Sequence, residues 1–381
     1  MTLFFICGCY VIALFLSVQI ASGQYAQMIQ VNEENSMNGL APVKTSYKLT
    51  IPAAVFIALL FTLHNVIVTQ FNPNPVGDRL NYTIAFLGIR NTGSAGLNCV
   101  IGFLQRFTSN AHILFYVSTF LSMLITVAAY RISEEAAPNA LFFLLITQYV
   151  FFSFSGVKQC YTNAFASLCI VLALRGHGWK DTLFSLALIA LAIWFHPTGY
   201  FLIPLYLLIK IKKTWAVNIA AFFIMLATSV FFEPLLLRFA SSIAPYVPNL
   251  AYKIYSYIGE NAAEALQNGG SMTVLKGIPY YIIMFIGWKR RSALLDKINH
   301  YDDYLLLTGV ISFIYVASIY NSWIYRLAYL LYLPVAVFFV QIMQYEEDDN
   351  NYSIVYTAVM GTCAILTLRY LAMIFLQYGG F

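Results

Sequence analysis

Twelve runs of apolar residues, separated by polar breaks, divide the chain at about 2–20, 49–69, 111–130, 139–155, 159–174, 182–196, 199–211, 215–232, 273–288, 303–319, 325–343 and 353–376. Crossing a bilayer as a helix takes about 20 residues, fewer where the helix is short or kinked. The pattern therefore predicts an all-α fold, a polytopic transmembrane helical bundle of about 12 spans. The pair 182–196 and 199–211 reads either as one long helix kinked near Pro197 or as two short helices. The first run, Leu3 to Ile20, has no basic residues ahead of it, so it reads as a retained helix rather than a signal peptide.

Composition removes the soluble alternatives. Of 381 residues 60% are hydrophobic and 10% charged, against roughly 25% charged in soluble domains. Mean hydropathy is +0.73. No stretch is long and polar enough to be a separate soluble domain. The chain reads as a single integral membrane domain over 1–381, with external loops at about 70–110 and 233–272. The net charge of +5 is too weak and too scattered for nucleic-acid binding. The six cysteines form no CxxC and no cluster with zinc spacing, so neither a metal site nor a disulfide framework is expected. Walker A, GxSxG, HExxH and Rossmann motifs are absent, and no cofactor is expected.

Charge sets the orientation. With the start outside and spans alternating, the inner loops hold twelve of the 21 Lys and Arg residues, in dense short runs at 210–213 and 289–291. Acidic residues divide more sharply, twelve inside and four outside. The outer side is left with an excess of +5, although the positive-inside rule does not require it there. Such an excess suits an anionic substrate; salt-bridged or headgroup-facing loops are the plainer alternative.

Four polar clusters fall at the outer ends of the predicted spans. Gly77-Asp78-Arg79-Leu80-Asn81-Tyr82 follows the second span. A helix starting here would put Asp78 in its first turn, on one face with Tyr82. Asp78 is then either a helix cap or a carboxylate that orients or deprotonates a sugar hydroxyl. Lys158 and Gln159 open the fifth span, with Thr162 and Asn163 one turn further on. A cation and free N–H groups at a helix N-terminus suit phosphate; a snorkelling Lys is the alternative. His196 ends the sixth span as a packing residue, an acid/base or a phosphate ligand. Arg326 opens the eleventh, either snorkelling or binding phosphate in bidentate fashion. His64, Arg369 and the tyrosines of 233–272 are weaker candidates.

In order and spacing, Gly77-Asp78-Arg79-Leu80-Asn81-Tyr82, Thr108-Ser109-Asn110, Lys158-Gln159, Phe195-His196 and Tyr325-Arg326 resemble the EpsG family, which belongs with Wzy-type polymerases of O-antigen, capsule and exopolysaccharide. The resemblance implies a GT-C-like fold in a bacterial inner membrane and no cofactor. It also implies transfer of a growing undecaprenyl-pyrophosphate-linked glycan onto a new lipid-linked repeat unit at the periplasmic face. Asp78, His196 and Arg326 would be catalytic; Arg79, Tyr82, Lys158, Gln159 and Asn163 would bind substrate. A chain-length regulator and a flippase are the implied protein partners. The family usually has Arg where this chain has Lys158, which keeps the charge but loses the bidentate fork. The competing readings are a flippase or transporter of lipid-linked oligosaccharide, or another lipid-linked glycosyl or acyl transferase. Against them, the sequence shows no clear internal repeat and no HxxxxD motif.

Overall fold

The computed structural model describes residues 51–71, 78–133, 156–176, 178–211, 237–246, 270–318, 324–344 and 354–363, with a few isolated positions besides. The expected spans 2–20, 139–155 and 215–232 lie outside these residues, as does most of 353–376. Every regular element among the described residues is a helix. In chain order they are α1 (Ile51–Phe71), α2 (Asp78–Phe86), α3 (Ala95–Leu104), α4 (His112–Ile132), α5 (Val157–Arg175), α6 (Trp179–Phe195), α7 (Leu202–Lys210), α8 (Gly270–Leu294), α9 (Tyr301–Ala317), α10 (Tyr325–Ala328) and α11 (Tyr332–Gln344). A shorter apolar helix, α12, covers Ile354–Cys363.

The apolar runs at 49–69, 111–130, 159–174, 182–196, 303–319 and 325–343 meet these helices within a few residues. Among the described residues, His112–Ile132, Val157–Arg175 and Tyr325–Met343 are long and apolar enough to cross a membrane. This is a helical membrane protein; the total of about twelve spans and the GT-C likeness remain expectations. Two helices, α2 and α3, lie within the stretch 70–110 read as loop.

The chain divides into two compact units, Met1–Lys210 with Tyr332–Phe381, and Ile211–Leu331. In the first, α5 is the helix against which α4, α6, α7 and α11 pack, and α1 packs on α4. Such a central helix buries most of its surface: Ala164, Ala166, Ala173, Cys169 and Ile170 are buried, while Lys158, Phe165, Leu168 and Leu172 form a half-buried stripe. Its small residues let neighbouring backbones come close. The C-terminus of α5 is closed by Lys210, whose Nζ donates to the carbonyls of Ala173 and Gly176. A cation there also opposes the negative end of the helix dipole.

The junction of α6 and α7 settles the sequence alternative in favour of two helices. His196 is extended (φ −153°, ψ 140°), as the residue before a proline prefers to be, and this ends α6. Pro197 then opens a 3-10 turn, Pro197–Phe201, which leads into α7. Gly199 lies against the backbone of α6, where a Cβ would stand 2.5 Å from the Ile193 nitrogen. Any side chain at that position would push the turn away from the helix.

In the second unit, α8 and α9 pack together as a hairpin. Arg291 near the end of α8 makes a bidentate pair with Asp302 at the start of α9, both bonds 2.7 Å. That hydrogen-bonded carboxylate pushes the arginine pKa further up. Tyr280 stacks on Tyr315 with centroids 5.3 Å apart. The short α10 packs on α9.

Cysteine burial gives a test of sidedness. Cys99 is exposed, whereas Cys160, Cys169 and Cys363 are buried. In a variant with Cys7 and Cys9 replaced by Ser, a membrane-impermeant maleimide added to intact cells is expected to label the protein, and Cys99→Ser to abolish the label. Labelling only after permeabilisation would place the 70–110 stretch inside.

Candidate functional site

The site begins at α2. Its sequence DRLNYTIAF alternates buried and exposed positions at helical spacing: Arg79, Tyr82, Ala85 and Phe86 are buried, while Asp78, Leu80 and Asn81 are exposed. Asp78 and Tyr82 thus sit one turn apart as expected, but only Tyr82 reaches the interior. There it joins a cluster with Leu97 and Ile101 of α3, Phe115 of α4, Tyr161 of α5 and Phe195 of α6.

Arg79 is 4% exposed. A buried guanidinium needs partners. One comes from α1: Nη1 donates to Asn65 Oδ1 at 3.3 Å, and Asn65 Nδ2 donates onward to Thr119 Oγ1 at 2.6 Å. The second is the Phe115 ring, 4.2 Å from the guanidinium carbon. A desolvated cation–π contact of this kind stabilises by up to about 2 kcal/mol. Burial pushes the Arg79 pKa down to about 10, opposed in part by Tyr116. That is still far above neutral, so the residue stays cationic.

Lys158 opens α5. Its Nζ donates to the Thr92 carbonyl at 2.9 Å and lies 5.6 Å from the Tyr82 ring centroid. The loop that supplies this carbonyl is held by its own side chains. Thr92 Oγ1 donates to Asn98 Oδ1 at 2.6 Å, and Asn98 Nδ2 donates to Asn91 Oδ1 at 2.6 Å. Ser94 caps α3, accepting from the Leu97 N–H at 3.2 Å, while its hydroxyl donates to the Phe195 carbonyl at 2.7 Å. Gly96 sits against the Phe195 ring, 2.9 Å from where its Cβ would be, so the first turn of α3 meets the end of α6 closely. This short segment thereby fixes the position of Lys158 and of the residue before His196.

Behind Lys158, α5 carries a buried polar row. Gln159 is 4% exposed, Thr162 0% and Asn163 1%. Thr162 Oγ1 lies 3.1 Å from the Lys158 carbonyl and 3.1 Å from the Ala192 carbonyl of α6. Gln159 Nε2 donates to Asn163 Oδ1 at 2.8 Å, and Gln159 Oε1 accepts from Thr198 Oγ1 at 3.2 Å. Thr198 Oγ1 in turn lies 2.9 Å from His196 Nδ1, and the Thr198 backbone N–H donates to the same nitrogen at 3.2 Å. His196 is half-buried.

Of the residues singled out in the sequence, Arg79, Tyr82, Lys158, Gln159, Asn163 and His196 therefore form one connected cluster in the first unit. Asp78 stands at its exposed edge. Arg326 belongs to the second unit, on α10, where it is half-buried. There Lys276 lies 5.3 Å from the ring centroid of Tyr325, the residue before it. Asn65, Thr92, Ser94, Asn98 and Phe115 were not singled out in the sequence, although each holds a candidate residue in place. Only Ser94 had a readable local signal, a serine preceding an apolar helical run. The 233–272 tyrosines Tyr252 and Tyr255 are exposed, and Tyr257 lies outside the described residues.

A buried permanent cation, a half-buried ammonium and an imidazole are thus linked near the N-terminus of a central helix in a helical membrane protein. The EpsG family matches residues 41–379, and the chain belongs to it. Neither the curated proteins nor the solved structures contain a match to it.

The role of Ser94 is directly testable. Losing a serine cap costs about 1 kcal/mol, and Ser94→Ala also removes the donor to the Phe195 carbonyl. The purified variant is expected to melt below the wild type, with Ser94→Thr close to it. Equal melting points for all three would show that the hydroxyl does not clamp α3 to α6.

Proposed function

We propose that this protein is a bacterial polysaccharide polymerase. It transfers a growing glycan from undecaprenyl pyrophosphate onto a lipid-linked repeat unit at the outer face of the inner membrane. The observation that carries the reading is the joining of Arg79, Tyr82, Lys158 and His196 around one end of α5, in a chain of the EpsG family. The acceptor hydroxyl oxygen attacks the anomeric carbon of the donor sugar. The bond from that carbon to the phosphate oxygen breaks, its electrons leave with the pyrophosphate, and the hydroxyl proton passes to a side-chain base, Asp78 or His196. Lys158 holds the pyrophosphate and stabilises its developing charge, and the sequence assigns Arg326 the same charge-stabilising role. Gln159 and Asn163 support that end of α5, and Tyr82, backed by Arg79, positions one of the glycans. Basic side chains supply the neutralisation, so the reaction as proposed uses no cofactor. A flippase and a chain-length regulator are the expected working partners.

A deletion strain complemented with wild type and with Arg326→Ala tests this on a polysaccharide gel. The deletion is expected to leave single repeat units on lipid with no long chains. Wild type should restore the ladder, while Arg326→Ala at normal expression should not, a drop of about 100-fold or more. Should no repeat unit reach the outer face in the deletion, transport of the lipid-linked unit becomes the better reading.

A further inference from the structure

The C-terminal ends of α2 and α3 are tied together. Gln105, just past α3, donates from Nε2 to the Phe86 carbonyl at the end of α2, at 2.6 Å. Gly88 closes α2 with a left-handed backbone, φ 77°. Its N–H donates to the Ala85 carbonyl at 3.0 Å, and the Ile89 N–H donates to the Ile84 carbonyl at 3.1 Å. In a helix ending of this kind the residue after the glycine commonly packs an apolar side chain back on the last turn. Ile89 does not, being 74% exposed. Phe107, just past Gln105, is 73% exposed, with its ring centroid 5.1 Å from that of Phe103. Leu87 and Phe103 are exposed as well. Single exposed apolar residues need no explanation, but four so close in the chain to one hydrogen bond do.

Two arginines stand among them. Arg90 follows Ile89, and Arg106 precedes Phe107. Both are exposed, and among the described residues neither side chain has a hydrogen-bond or ion-pair partner. No local carboxylate can serve, because no Asp or Glu occurs between Asp78 and Glu134. The depth of this patch follows from the helices beside it. At 9 and 10 residues, α2 and α3 are each about 15 Å long, half of what the hydrocarbon core requires. Phe107 lies just ahead of α4, which is long and apolar enough to cross a membrane. The patch therefore belongs at the level where α4 enters the bilayer.

We infer that the joined ends of α2 and α3 form an interfacial anchor, in which Leu87, Ile89, Phe103 and Phe107 enter the acyl boundary while Arg90 and Arg106 bind the phosphates of anionic phospholipids. The charge selects this occupant. An apolar patch alone would suit any lipid, whereas exposed guanidiniums without a carboxylate are matched by a surface of phosphates. Aromatic rings and basic side chains are also what amphipathic segments carry at this depth. The inference goes beyond the polymerase reading and does not rest on it. The stretch that leaves the patch carries Thr92, whose carbonyl holds Lys158, so anchor and site share one short segment.

Lipid quenching tests the anchor. The purified full-length chain, with Cys7, Cys9 and Cys99 replaced by Ser, takes a fluorescent label at Gly102→Cys, beside Phe103. Gly102 is exposed, and a Cβ there meets nothing within 4 Å. The protein is placed in phosphatidylcholine nanodiscs containing a minor fraction of lipid with a spin label high on the acyl chain. That lipid is either phosphatidylglycerol or phosphatidylcholine. Both are expected to quench, with phosphatidylglycerol stronger by about threefold or more. Arg90→Gln combined with Arg106→Gln should reduce phosphatidylglycerol quenching to the phosphatidylcholine level. The comparison of the two lipids needs no change to the arginines, so it stands even if the double variant misfolds. Equal quenching by both lipids, or none by either, overturns the inference. So does loss of the difference on adding a polyprenyl pyrophosphate well below the phosphatidylglycerol level, which would assign the arginines to substrate instead.

Discussion

Polar side chains buried where helices pack must find their hydrogen bonds within the protein. α5 carries such a row at Gln159, Thr162 and Asn163, and it dictates much of what surrounds it. Thr162 reaches across to the Ala192 carbonyl, in the last turn of α6. Gln159 reaches Thr198, which requires the chain to leave the helical path just after Ala192 and turn back. The extended His196, the 3-10 turn and the close approach of Gly199 are the local means of meeting that demand. The break between α6 and α7 is thus as much a consequence of the α5 side chains as of Pro197.

The same constraint operates on Arg79. A cation at 4% exposure is tolerable only with an acceptor and a polarisable face beside it. Asn65 and Phe115 supply these from two other helices. The buried charge therefore ties α2 to α1 and α4, and holds Tyr82 in register one turn on. Apolar burial alone would allow α2 to slide or rotate; a guanidinium with fixed partners does not.

How much of this was legible follows from the range of each signal. The helix runs at 111–130, 159–174 and 325–343 were readable because apolar runs report local burial along a single segment. The candidate positions were readable as polar residues interrupting such runs, as with Lys158, Gln159 and His196. The partners of those residues were not, because Asn65 and Arg79, or Ser94 and Phe195, are separated by many residues and only the packing brings them together. The helix α3 was hidden for another reason. At ten residues, and flanked by Asn, Thr and Gly, it looks like the interior of a polar loop until Ser94 is recognised as its cap.

Lysine at position 158 makes physical sense in this setting. The ammonium is a compact donor with three hydrogens, and one of them is taken by the Thr92 carbonyl at 2.9 Å. A carbonyl presented end-on by a loop suits such a point charge, whereas a guanidinium fork is built for two parallel acceptors. The Asn91, Thr92 and Asn98 knot that presents this carbonyl is held by its own side-chain hydrogen bonds. The loop and the lysine therefore belong together as a unit. Replacing the lysine by arginine would set a two-pronged fork against a single carbonyl, and the position of Tyr82, 5.6 Å away, would be disturbed with it. Charge at this position is what the proposed pyrophosphate needs; the reach and shape of the group carrying it suit the Thr92 carbonyl.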